Sequence, residues 1–125
     1  MQYKTPDDIK RIYESGRIIA AIFNHIAAMD LIDCTTWELD SIIDTMILKA
    51  NGRSAFKTVY GYNFSSCISL NHEIIHGIPS KKISIQSGDL VKIDIGVVFN
   101  GYFSDACYTF RVGIVHDDTK LLTEV

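Results

Sequence analysis

Two aspartates, Asp94 and Asp105, stand inside the apolar, β-branched run LVKIDIGVVFNGYFSDACYTFRVG, Leu90 to Gly113. Asp is depleted in strands, and two in one strand pair, away from its turn, call for a reason. Carboxylates on a partly buried surface repel each other and lose hydration. Three arrangements remove that cost: a shared proton, a neighbouring Lys or Arg, or bound cations. Lys92 and Arg111 lie in the same run, so an ion pair is one option. For cations, carboxylates are hard oxygen ligands. They suit Mn, Mg or Ca and, with histidine added, Fe, Co or Zn.

The elements that must position these groups begin with Asn100-Gly101, the strongest short hairpin signal in the chain, a type I′ turn. With these as the two turn residues, Phe99 faces Tyr102, Gly96 faces Asp105 and Asp94 faces Cys107. Strand side chains alternate between faces. Val91, Ile93, Ile95, Val97 and Phe99, with Ala106, Tyr108 and Phe110, then form a core face. Lys92, Asp94, Gly96, Asp105, Cys107 and Arg111 share the other. The aspartates become diagonal neighbours, roughly 7–8 Å apart at the backbone. Gly96, opposite Asp105, leaves room for a shared object.

The core face needs a cover, and the N-terminal half supplies it. Thr5 and Pro6 open a first helix, with Asp7 and Asp8 in its first turn. Ile9, Ile12, Ile19, Phe23 and Ile26 form its apolar stripe, and it is expected to end near Asp30. Thr35, with Glu38 three residues on, opens a second helix, and Gly52 is its expected C′ stop. From Ser54, Tyr60, Tyr62 and Phe64 alternate with smaller residues, which predicts extended chain. Cys67–Leu70 reads as a short strand, residues 71–82 as a loop containing His76-Gly77-Ile78-Pro79, and Ser87–Asp89 as a turn. Two helices packed on an antiparallel sheet make an α+β fold.

Composition bounds the rest. The 125 residues are 47% hydrophobic and 22% charged, which is globular. A formal net charge of −3 argues against a nucleic-acid partner held by overall field. No apolar run approaches the roughly 18 residues of a membrane span, and the acidic N-terminus lacks a signal-peptide core. Cys34, Cys67 and Cys107, odd in number and irregularly spaced, are expected to be reduced thiols.

The stretches NHEIIHGIP, GDLVKIDIGVVFNGYFSDACYTFRVG and TTWELD, in that combination, resemble type I methionine aminopeptidases, which have the pita-bread fold. The resemblance runs through almost the whole chain. It implies a cytoplasmic metallo-exopeptidase that removes initiator methionine from nascent proteins, using two divalent metal ions (Co, Mn, Fe or Zn). In that likeness Asp94 chelates one ion, Asp105 bridges two, and His76 hydrogen-bonds substrate near the scissile amide. Tyr62 and Cys67 fall near positions that line the methionine side-chain pocket. Members of that family run to about twice this length, and their second half adds a histidine and two glutamates as ligands. Residues 1–125 are therefore expected to be a single incomplete domain, the N-terminal half, inactive by itself and completed by a C-terminal half. The competing expectation is a non-catalytic pita-bread module that binds peptides or serves as a scaffold. Ala106 and Cys107 stand where the family usually has hydroxyl residues, which leaves any hydrogen bond from those positions to the metal ligands in question.

Overall fold

The structure, a computed structural model, describes residues 4–71 and 77–113. Its elements are α1 (Pro6–Ala27), α2 (Thr36–Lys49), β1 (Arg53–Ser54), α3 (Ala55–Tyr60), β2 (Ser66–Leu70), β3 (Leu90–Phe99) and β4 (Tyr102–Arg111). The sheet is antiparallel and centred on β3. One edge of β3 pairs with β4. The other is shared by β2, against Val91–Ile95, and β1, against Val97–Val98.

α1 starts where its sequence says it should. The Thr5 hydroxyl accepts from Asp8 N at 3.1 Å, and the Asp8 carboxylate accepts from Thr5 N at 2.9 Å, a complete capping box. It ends at Ala27, three residues short of the expected Asp30. The reason is local: the Asp30 side chain accepts from Ile32 N at 3.0 Å, a turn that competes with the helix.

α2 is capped by the Thr35 hydroxyl, which accepts from Glu38 N at 3.0 Å. At its other end Asn51, not Gly52, takes the left-handed position, with φ of 65°. Asn51 N donates to Leu48 O and Gly52 N to Ile47 O, both at 3.0 Å, which is the Schellman pattern. Gly52 serves packing instead, since a Cβ there would lie 3.2 Å from a Val97 methyl.

The core lies between the helices and one sheet face. Ile19, Ile22 and Ile26 of α1, Leu39, Ile43 and Ile47 of α2, and Val91, Ile93, Ile95 and Val97 of β3 are all at most 2% exposed. Each such side chain stabilises the fold by roughly 1.5–3 kcal/mol relative to exposure. The expected core face of β3 is therefore observed. On β4, Ala106 and Phe110 pack against this cluster. Tyr108 lies at its margin, 49% exposed, against Phe23 and Phe110.

The segment after Ser54 departs from expectation: Ala55–Tyr60 is helical, not extended. Ser54 is its cap, accepting from Lys57 N at 3.2 Å, and Gly61 closes it at φ of 65°. Aromatic alternation misled because Tyr60 closes a short helix, while Tyr62 and Phe64 lie in the coil after it with their rings edge to face.

Candidate metal centre and adjoining cleft

The hairpin has the register read from its turn. Phe99 pairs with Tyr102, Gly96 with Asp105 and Asp94 with Cys107. Asn100 and Gly101 have φ of 51° and 83°, the positive values a type I′ turn requires. Asp94 and Asp105 therefore sit on the same face, diagonal to each other. β2 extends the row, because Cys67 pairs with Asp94 from the other side. Cys67, Asp94 and Cys107 thus run in line across three strands. Oδ1 of Asp94 is buried, whereas Asp105 is exposed.

Among the described residues, ion pairs join Arg11 to Asp7 and Lys57 to Asp44; Lys92 and Arg111 take part in neither. Burial pushes the Cys67 and Cys107 thiols above their ordinary range, and the charge of Asp94 adds to it. Both thiols are therefore neutral at pH 7.

Gly96 does not leave open space, as its lack of a side chain had promised. A Cβ there would lie 3.0 Å from the Phe56 ring and 3.1 Å from the Ala55 methyl. The room is filled by α3, which packs onto the site face beside the aspartates. That close approach forms one wall of a cleft of about 730 Å³, lined by Phe56, Tyr60, Gly61, Tyr62, Cys67, Ile78 and Asp94. The cleft is mostly apolar and ends at a carboxylate. Within it the Cys67 thiol donates toward the Tyr62 hydroxyl at 3.9 Å. Burial, followed by the neighbouring Cys67, raises the Tyr62 phenol far above its ordinary value, so it remains a neutral donor and acceptor.

His76 lies outside the described residues, but the chain that follows it is pinned. Gly77 O accepts from Ile68 N at 2.8 Å, and Gly77 N donates to the Ser69 hydroxyl at 3.2 Å. Three residues later Ser80 N donates to the Thr36 hydroxyl of α2 at 2.8 Å. Ile78 is held between these anchors, at the cleft. Tyr62 and Cys67, which the resemblance set near a side-chain pocket, both line this cleft, and so do Phe56, Tyr60, Gly61 and Ile78, which the sequence did not single out for it. The cap at Ser54 and the glycine at Gly61 were the available signals.

Asp94 and Asp105 are hard oxygen donors on one face, so they fit a divalent cation. They do not complete its coordination. Among the described residues no group of three or more His, Cys, Asp or Glu side chains is arranged to hold a metal ion.

A helix-backed antiparallel sheet that presents two carboxylates beside an apolar cleft is half of a pita-bread fold. The chain belongs to metallopeptidase family M24, whose profile matches residues 10–125. Within that family it is similar to methionine aminopeptidases. It is 38% identical to methionine aminopeptidase 1 of Bacillus subtilis over 98% of this chain and 49% of that protein. It is 37% identical to the methionine aminopeptidase of Borreliella burgdorferi over 100% of this chain and 49% of that protein. The crystal structure of methionine aminopeptidase from Thermotoga maritima superimposes with a TM-score of 0.91 at 30% identity, covering 100% of this chain and 50% of that one. The chain thus spans about half the length of the relatives it matches.

Proposed function

We propose that residues 1–125 are one incomplete domain, the N-terminal half of a cytoplasmic methionine aminopeptidase that removes initiator methionine from nascent proteins. The observation that carries this reading is the hairpin register, which sets Asp94 and Asp105 on one face, with Asp94 lining the apolar cleft. The similarity to methionine aminopeptidases along the whole chain supports it.

In this reading Asp94 and Asp105 hold divalent ions of the Co, Mn, Fe or Zn type. When bound, such ions lower the pKa of a water and polarise a carbonyl. The cleft receives the substrate's first side chain. An unbranched thioether adapts to walls of Phe56, Tyr62 and Ile78, and its sulfur is compatible with the neutral Tyr62 hydroxyl and Cys67 thiol. His76, one residue before the anchored Gly77, binds the peptide near its scissile amide. A C-terminal half supplies the remaining ligands, so this chain alone binds metal weakly and does not turn over substrate.

Calorimetric titration with Mn tests the site. Weak binding is expected for the chain, and none for Asp105→Asn. An assay on a Met-Ala-Ser peptide with added Mn or Co tests the incompleteness, and robust turnover by these 125 residues would refute it. Binding of a Met peptide with no Mn uptake would favour the scaffold reading instead.

A further inference from the structure

We propose that Asp40 and Asp44, one turn apart on α2, are positioning residues that grip both ends of segment 55–66 and so set the shape of the cleft. This rests on the reading above only for what the cleft is used for.

α3 has six residues, too few to hold a helix by itself. Residues 57–61 are exposed, yet this segment supplies Phe56, Tyr60, Gly61 and Tyr62 to the cleft. Its polar ties lead back to α2. The Lys57 ammonium donates to the Asp44 carboxylate at 3.0 Å, near the start of the segment. At its end, the Ser65 hydroxyl donates to Asp44 at 2.6 Å, Ser65 N to Asp40 at 3.0 Å, and the Ser66 hydroxyl to Asp40 at 2.7 Å.

The link to the cleft is one peptide bond long. Ser66 pairs with Ile95 and so faces the helices, whereas Cys67 pairs with Asp94 and faces the cleft. Asp40 is 5% exposed, and a carboxylate that deep is costly unless its hydrogen bonds are satisfied. Asp40 offsets part of that cost by holding Ser65 and Ser66, just where the segment enters β2.

The test uses the 125-residue chain with Cys34→Ser and Cys107→Ser, which leaves Cys67 as the sole thiol. Its alkylation rate by iodoacetamide is measured together with amide exchange of residues 55–66 and of β3. Asp44→Ala is expected to speed both alkylation and exchange in 55–66 by about tenfold while β3 stays protected. Asp44→Asn, which still accepts from Ser65, is expected to remain within about twofold of the parent. Unchanged rates in a folded Asp44→Ala, or an Asn variant as fast as the Ala variant, would overturn the proposal. If Asp44→Ala loses β3 protection, Ser65→Ala decides: faster alkylation with β3 intact upholds the clamp, and parental rates refute it. These readouts need neither metal nor turnover, so a failed Mn titration and a failed clamp are distinguishable.

Discussion

A Cβ at Gly77 would lie 1.8 Å from the carbonyl oxygen of Ile68, a backbone atom that cannot step aside. Gly77→Ala must therefore break the contact with β2, including the Ile68 N to Gly77 O bond. We expect it to destabilise the chain by about 1–3 kcal/mol in urea denaturation, and to displace the residues beside His76. Asp40 and Asp44 give a second prediction, because they titrate in opposite directions. Burial raises Asp40, with the hydrogen bonds from Ser66 and Ser65 opposing it. As pH falls from neutral through that raised value, the folded chain takes up a proton that the unfolded chain does not yet hold. Stability from this group therefore rises with acidity until 3.8 is passed. For Asp44 burial also opposes the charge, but hydrogen bonds from Ser65 and Lys57 win and lower it. Its contribution is present above 3.8 and is lost as pH falls below that. In thermal melts between pH 4 and 7, Asp40→Asn should flatten the acid-side gain and raise the melting point at pH 7. Asp44→Asn should lower the melting point at pH 7. At this scale Asp94 and Asp105 were legible because a two-residue turn fixes everything beside it. The role of Gly96 was not, because it depends on Phe56, forty residues earlier in the chain and brought there by the fold.

Among the elements, the hairpin is the one whose local chemistry decides the site. Gly101 has φ of 83°, where a β-branched side chain is strained. Gly101→Val should cost about 1–2 kcal/mol, seen as a lower urea midpoint with an unchanged slope. Asn100→Gly should be nearly neutral, since glycine tolerates the φ of 51° there. A fall in the slope for Gly101→Val would mean that the hairpin is not part of the cooperative unit. Both long helices could be read from caps and apolar spacing because each carries its own signals. α3 has only one buried residue, Ala55, and no apolar stripe of its own. Its helicity comes from a serine cap, a left-handed glycine and contacts with β3. The two-residue β1 is likewise defined by its partner, Val97–Val98, and not by any pattern within Arg53–Ser54.

For the whole molecule, the central fact is a well-packed core beside an uncovered face. α1 and α2 cover one side of the sheet, while Asp105, Cys107 and Phe103, 54% exposed, remain open on the other. Among the described residues, β4 pairs with β3 alone, so alternate residues along its ten-residue outer edge present unpaired N–H and C=O groups. Proline is absent from Tyr102–Arg111, and its only cationic residue is the terminal Arg111, so the usual guards against edge pairing are few. The composition gave no warning of this, because an unpaired edge is a property of topology and not of residue content. A chain spanning half the length of its relatives, with this edge and face exposed, should associate with itself. Sedimentation velocity is expected to show a weight-average mass that climbs with protein concentration. Phe103→Lys places a charge on the open face next to the edge, and should return the chain to a monomer with its circular dichroism unchanged. A single monomeric species at every concentration, in the parent chain, would overturn this expectation.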